Sequence, residues 1–177
     1  MCIRDRAGPT ASGKSKLAIN LSKKLNGEIV NADSMQVYRE LRLLTARPDA
    51  EQEAIARHRL YGIIPACTQF SVRRWLDLAI AEIDVARSAG QVPIVVGGTR
   101  LYLQALTEGI AVIPDIPEDI RRRARDLMAD MGASGVYDVL KVRDPIMAKR
   151  LKSTDSQRLV RALEVIEGTG TVSYTHL

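Results

Sequence analysis

Cysteine, histidine and large aromatic residues are scarce in this chain: Cys2 and Cys67, His58 and His176, one tryptophan and one phenylalanine in 177 residues. Two cysteines make no disulfide framework, and with only two histidines beside them a zinc site is not expected; a reducing setting fits instead. No apolar run approaches the ~20 residues that span a bilayer, and no signal-peptide hydrophobic region precedes residue 8. A soluble, cytoplasmic protein without a membrane partner is therefore expected, as a monomer. Internal repeats and low-complexity tracts are absent, and no compositional bias of the kind that keeps chains disordered is present.

What is there suits one domain of ordinary size with a subdomain. Apolar residues make up 46% of the chain, enough to fill a core. The net charge of +5 is unevenly placed: Glu118 to Arg161 holds eleven Lys/Arg against seven Asp/Glu. That clustering suits an anionic partner such as nucleic acid, or simply a solvated helical surface.

Gly8-Pro9-Thr10-Ala11-Ser12-Gly13-Lys14-Ser15 satisfies G-x-x-x-x-G-K-[ST], the phosphate-binding loop that ends a strand and opens a helix. Glycines let successive backbone N–H groups curl around an anion. Lys14 adds a mobile positive charge, the Ser15 hydroxyl can ligate Mg²⁺, and the following helix N-terminus favours phosphate. Leu17, Ala18, Leu21 and Leu25 continue at helical spacing to a stop at Asn26-Gly27. A di- or triphosphate site follows from loop and helix together.

Glu28 to Ala32 reads as a short strand ending at Asp33-Ser34. Ligands in parallel α/β sheets gather outside strand carboxyl ends, which puts Asp33 beside the phosphates. A carboxylate there can bind Mg²⁺ or its waters, act as a general base, or cap the turn Asp33-Ser34-Met35-Gln36. Thr45 to Pro48 is a break, Ala50 to Arg59 a short helix carrying a structural His58, and Tyr61 to Ile64 a strand. Ser71 caps an amphipathic helix to Ala89, ended by Gly90, with Val72, Trp75, Leu76, Ala79, Ile80 and Ile83 as its apolar stripe. On that stripe the tryptophan belongs to the core. Val92 to Val96 is a buried strand running into Gly97-Gly98-Thr99, after which Leu101, Tyr102 and Leu106 begin a helix. The glycines there serve either close ligand approach or a turn needing positive φ, and Thr99 offers a hydroxyl to the reacting region.

Beyond Gly109 the pattern turns wholly helical. Pro114 and Pro117 bracket a linker, and Glu118 to Met131 is a basic helix with Ile120, Ala124, Leu127 and Met131 inward and Arg121, Arg122, Arg123 and Arg125 elsewhere. Val136 to Val142 follows Gly132, Asp144-Pro145 opens another helix, and Asp155 caps Gln157 to Glu167. The organisation expected is an α/β core over 7–112, a helical insertion over 113–152 and a helix returning to the core over 153–168. Residues 1–6 carry three charges where a buried strand is required, and 172–177 show no continuation; both are expected to be non-native ends.

Taken together, Gly8 to Ser15, Asp33-Ser-Met-Gln-Val-Tyr38, Thr45-Ala-Arg-Pro48, Val96-Gly-Gly-Thr-Arg-Leu-Tyr102 and Asp155-Ser-Gln-Arg-Leu-Val-Arg-Ala-Leu-Glu-Val165 resemble the bacterial tRNA dimethylallyltransferases. The resemblance spreads over residues 8–167 in the family's order, and the family continues past it, so the chain is expected to be a fragment lacking the C-terminal part. It implies an α/β fold: a P-loop NTPase-like parallel sheet flanked by helices, with a helical insertion (lid) subdomain. It also implies transfer of a dimethylallyl group from dimethylallyl diphosphate to N6 of adenosine 37, beside the tRNA anticodon, with Mg²⁺ at Ser15. By the same resemblance Thr10 to Ser15 hold the diphosphate in a motif otherwise associated with ATP, with Lys14 on the departing charge. Asp33 would be the general base and Thr99 would contact the reacting region. Asp33, Ser34, Met35, Gln36, Thr99, Arg121, Gln157, Arg158, Leu159, Val160 and Arg161 match positions that grip the anticodon stem-loop. The rival reading is a kinase-like phosphotransferase with the same loop, strand-end Asp and lid. A non-catalytic RNA-binding module ranks last, because it needs neither Lys14 with Ser15 nor an Asp that repels the RNA backbone.

Overall fold

The computed structural model describes residues 13–110 and 113–170, in two compact units that divide after Ile110. The strand expected before Gly8, most of the phosphate loop and both suspected non-native ends lie outside the described residues.

The first unit is built on three parallel strands in the order β2-β1-β3. Helix α1 (Lys14–Leu25) starts after Gly13 and stops at Asn26, whose left-handed φ of 48° turns the chain into β1 (Gly27–Asn31). All of β1 is buried, as a central parallel strand should be. Its one ionisable residue, Glu28, is 1% exposed and receives a 2.6 Å hydrogen bond from Arg59 Nε. Without that partner the carboxylate would be an isolated buried charge.

The chain between β1 and the next long helix departs from the sequence expectation. Helix α2 (Ala50–Ile55) ends four residues early, and His58–Arg59 form β2, paired with Ile29 and Val30. A full capping box at Asp49 and Gln52 opens α2, but Ala56 is already extended. Pairing with the buried central strand outweighs one further turn of exposed helix. The strand expected over Tyr61–Ile64 reduces to a single parallel bridge between Tyr38 and Ile64, because Gly62 takes φ 59° within it and interrupts the run.

Helix α3 (Val72–Ser88) begins where expected, with Ser71 Oγ accepting from Arg74 N at 3.2 Å. Trp75, Leu76, Ala79, Ile83 and Ala86 face the sheet, whereas Ile80 is 44% exposed and falls outside the stripe predicted for it. Trp75 is fully buried, stacks on Tyr102 with ring centroids 4.3 Å apart, and donates its indole N–H to Asn31 O at 2.8 Å. This is the core role the sequence suggested, with the polar edge satisfied. Strand β3 (Val92–Val96) pairs with β1 in register from Gly27 opposite Val92 to Asn31 opposite Val96. Helix α4 (Arg100–Glu108) follows directly.

All the regular elements described in the second unit are helices. Helix α5 (Glu118–Arg143) is broken at Gly132, and α6 (Pro145–Arg150) and α7 (Ser156–Thr169) complete the unit. Ala124, Val136, Leu140, Leu159 and Leu163 form its core. Met131, expected inward, is 48% exposed beside the break. Asp144 closes α5 and opens α6, accepting from Met147 N at 2.9 Å with Pro145 in the first turn. Asp155 caps α7 by accepting from Arg158 N. Helix α7, which the sequence set apart as a return to the core, packs along α5 within this unit. Among the described residues no helix is long and apolar enough to cross a membrane.

Candidate functional site

The carboxyl ends of β1 and β3 and the first turn of α1 meet at one cleft of about 360 Å³, within the range of small-molecule sites. Gly13, Lys14, Ser15 and Lys16 line it from α1, Asp33 and Gln36 from the segment after β1, and Gly97 and Gly98 from the end of β3. Gly13 has φ 76°, and the N–H groups of the following turn of α1 stand at the cleft. Gly8 to Ser12 lie outside the described residues. Two cationic side chains, an exposed hydroxyl and a carboxylate thus share one opening, an arrangement suited to a phosphate group and a proton acceptor together.

Asp33 is held by a neighbour that motif reading missed. Asn31 is fully buried at the end of β1; its Oδ1 accepts from Asp33 N at 2.9 Å, and its Nδ2 donates to Asp33 O and Leu60 O, both at 3.0 Å. A polar residue at the carboxyl end of a buried strand was the available signal. One carboxylate oxygen of Asp33 accepts from Met35 N at 2.9 Å, the turn-capping role weighed from sequence. Among the described residues nothing donates to the other oxygen, which leaves it for chemistry. The carboxylate thus caps the turn with one oxygen and keeps the other open to the cleft.

Thr99 does not line the cleft. Its hydroxyl accepts from Ser34 N at 2.9 Å and donates to Ser34 Oγ at 3.2 Å, tying the end of β3 to the turn that carries Asp33. The backbone repeats the link, with Ala32 N donating to Val96 O and Thr99 N to Ala32 O. Gly97 owes its identity to this join. It lacks positive φ, but a Cβ there would strike the backbone of Ala32. Neither of the two roles weighed from sequence, ligand approach or positive φ, is the one the backbone enforces.

Gln36 turns its amide away from solvent, donating from Nε2 to Thr45 O at 2.7 Å and so fixing the Thr45-Ala46 edge of the cleft. Ser34 is half-buried and Met35 is 49% exposed. Tyr61, unremarked as a site residue, also lines the cleft. Burial, and then the Asp33 carboxylate, push its phenol above the ordinary range, so it stays protonated as a hydrogen-bond donor at any working pH. Burial likewise pushes the Tyr102 hydroxyl up to about 12.

The remaining candidates sit in the second unit. Arg121 is half-buried, with its Nε buried and unpartnered among the described residues. On α7, Gln157 and Arg158 are exposed, and Arg158 pairs with Asp155 at 3.4 Å. Arg161 is exposed and pairs with Glu164 at 3.0 Å. Leu159 is fully buried and Val160 half-buried against the same core, so their side chains hold the helix in place.

The described elements define a parallel α/β protein with a lysine-lined cleft at its strand ends. The sequence matches the family model for IPP transferase over residues 36–176, and the chain belongs to that family. A tRNA dimethylallyltransferase from Methylocella silvestris is 54% identical over 93% of this chain and 54% of its own length. One from Rhodospirillum rubrum is 50% identical over 93% of the chain and 50% of its own length. Among solved structures, a eukaryotic dimethylallyltransferase acting on tRNA superposes with a TM-score of 0.83 at 29% identity, covering 98% of this chain and 43% of that one. The tRNA isopentenylpyrophosphate transferase of Bacillus halodurans gives a TM-score of 0.61 at 36% identity, covering 96% and 56%. The fold is the P-loop NTPase-like one of these transferases. The chain spans about half the length of the curated relatives it matches.

Proposed function

We propose that this chain carries the donor site and catalytic carboxylate of a tRNA dimethylallyltransferase. The observation that carries the reading is the meeting of Lys14, Ser15 and Asp33 in one cleft, with one Asp33 oxygen left over from the turn it caps. In the reaction, the N6 amine of adenosine 37 attacks the first carbon of the dimethylallyl group. The carbon–oxygen bond to diphosphate breaks, its electron pair leaves with the diphosphate, and Asp33 takes a proton from the amine.

Each residue answers a physical need. The exocyclic amine is a weak nucleophile because its lone pair is delocalised into the ring, and a positioned base is worth about 10²–10⁴-fold. Diphosphate departs with charge that preorganised donors must meet, which is the task given to Lys14 and the N-terminus of α1. The target base has to leave its stack to reach a strand-end cleft, and loop bases of RNA extrude most cheaply. Arg121, Gln157 and the arginines of α7 would take phosphates of the anticodon stem, with salt-sensitive affinity.

Mg²⁺ fits the groups present. It binds through one or two protein oxygens beside substrate phosphates and keeps several waters. Ser15 Oγ offers such an oxygen at the cleft, and among the described residues no cluster of three His, Cys, Asp or Glu competes for it. When bound, the ion would neutralise charge on the departing diphosphate.

Parallel calorimetric titrations with Mg²⁺–dimethylallyl diphosphate and Mg²⁺–ATP test the reading. Tighter binding of the prenyl diphosphate is expected. Clear preference for ATP would move the assignment to a phosphotransferase.

A further inference from the structure

Leu43 and Leu44 stand in water, 94% and 87% exposed, on a turn beside the cleft. We infer that these two leucines form a wedge that enters the base stack of the RNA substrate next to the adenosine being modified and holds that adenosine extruded. The inference rests on the transferase reading and gives it an RNA-opening device.

The exposure does not come from a loose loop. Thr45 donates from its N–H and from Oγ1 to Leu41 O, at 3.0 and 2.6 Å, and Arg47 N donates to Arg42 O at 3.1 Å. Arg42 Nη2 closes the turn on Pro48 O at 2.8 Å, and the Arg47 guanidinium donates to the carbonyls of Tyr38 and Arg39. A turn fixed by this many bonds presents its apolar tip in a preorganised shape. The residues that follow the leucines, Thr45 and Ala46, line the cleft that holds Asp33. The tip is therefore covalently next to the place where the reacting base must arrive.

The charges around the tip choose the partner. Residues 36–48 contain three arginines and one glutamate. Arg42 pairs with Glu53 at 3.4 Å and Arg47 is tied to the Tyr38 and Arg39 carbonyls, which leaves the exposed Arg39, without an ion pair among the described residues, as the cation beside the tip. An aliphatic pair beside an unpaired arginine suits a polyanion with stacked bases. Aliphatic side chains pushed between base steps offset the loss of stacking when a nucleotide is flipped. A leucine pair meant only to meet the prenyl chain would have no use for that arginine.

The test uses an anticodon stem-loop RNA with 2-aminopurine immediately beside the target adenosine, whose fluorescence rises when stacking is lost. The protein as it stands should raise the fluorescence on binding. The double variant Leu43→Ser/Leu44→Ser should lose most of that rise and bind the RNA about 5–30-fold more weakly, the range for removing two interfacial apolar anchors. Its affinity for inorganic pyrophosphate and for dimethylallyl diphosphate should not change. An undiminished rise at unchanged affinity overturns the wedge and leaves the transferase reading standing. Weakened binding of dimethylallyl diphosphate with unchanged pyrophosphate binding also overturns it, in favour of a cover for the prenyl chain. A change in sedimentation mass overturns it in favour of a contact between copies. If the unsubstituted chain binds prenyl diphosphate but no RNA, the RNA reading itself fails with it.

Discussion

Asn31→Asp replaces one atom in the residue that holds Asp33, and its consequences follow from three hydrogen bonds. The amide donates to two carbonyls, Asp33 O and Leu60 O, each at 3.0 Å, from a fully buried position. A carboxylate has no proton for either. Two buried carbonyls lose their partner, at ~1–3 kcal/mol each, and a charged oxygen now faces them. The expected loss of stability at neutral pH is therefore about 3–5 kcal/mol. Protonation relieves part of it, because a neutral acid can donate to one carbonyl. The folded-state pKa of the new carboxyl is thus raised above the unfolded value of about 3.9. The deficit grows as pH rises from the unfolded toward the folded pKa, by at most ~1.4 kcal/mol per unit, and shrinks as pH falls through that window. Urea unfolding at pH 7.5 and pH 5, followed by the fluorescence of Trp75, measures this where it arises, since the indole donates to Asn31 O. The slope on urea should stay constant while the midpoint moves. A variant as stable as the parent, or a deficit identical at the two pH values, would refute the reasoning.

Three further outcomes follow. Asp33→Asn should reduce prenyl transfer by about 10²–10⁴-fold while diphosphate binding by calorimetry changes little; turnover retained at the parental rate would remove Asp33 from the base role. Gly97→Ala drives a methyl group into the Ala32 backbone and should cost about 2–3 kcal/mol in urea unfolding; a neutral effect would show that the strand ends are not held this closely. Burial holds the His58 imidazole below its ordinary value of 6.5, and its Nδ1–H must be the donor to Ala56 O at 2.8 Å because a carbonyl can only accept. With the folded pKa depressed, stability is complete above pH 6.5 and lost as pH falls below it, so His58→Gln should show a flatter melting temperature between pH 7 and 5 than the parent.

The features legible in the sequence are those whose chemistry is local. Ser71, Asp144 and Asp155 announce helix starts because their side chains bond N–H groups three residues on, and each does so. Asp33 could be placed by topology because a parallel strand delivers the residue after it to the ligand edge. Tyr61 was not legible as a site residue, and Asn31 showed only as a polar strand end, since their partners, the Asp33 carboxylate for Tyr61 and Leu60 O for Asn31, are brought to them by the fold. The same holds for β2: nothing within Ala50 to Arg59 shows that Ile29 and Val30 have an open edge for His58 and Arg59. Ile80 and Met131 were misplaced for a smaller reason. A periodic pattern defines a face only to within a residue, and the side chain at its margin goes to water.

Thr99 is bonded to the turn that carries Asp33 and does not itself line the cleft. Its hydroxyl is occupied on both sides by Ser34, accepting from the backbone and donating to the side chain. Those two bonds suit it to position the turn that presents Asp33. Thr99→Val keeps the shape, removes both bonds and strands the partly buried Ser34 N–H, which should cost about 1 kcal/mol of stability. Transfer should fall in kcat, with KM for the prenyl diphosphate unchanged, and Thr99→Ser should restore both. Ser34→Ala then separates the explanations. If Thr99 acts through Ser34, the valine and alanine substitutions share one interaction and their effects on kcat will be markedly less than additive when combined. If the hydroxyl instead meets the substrate directly, the two losses will add, and the hydrogen bonds to Ser34 will have been incidental to its role.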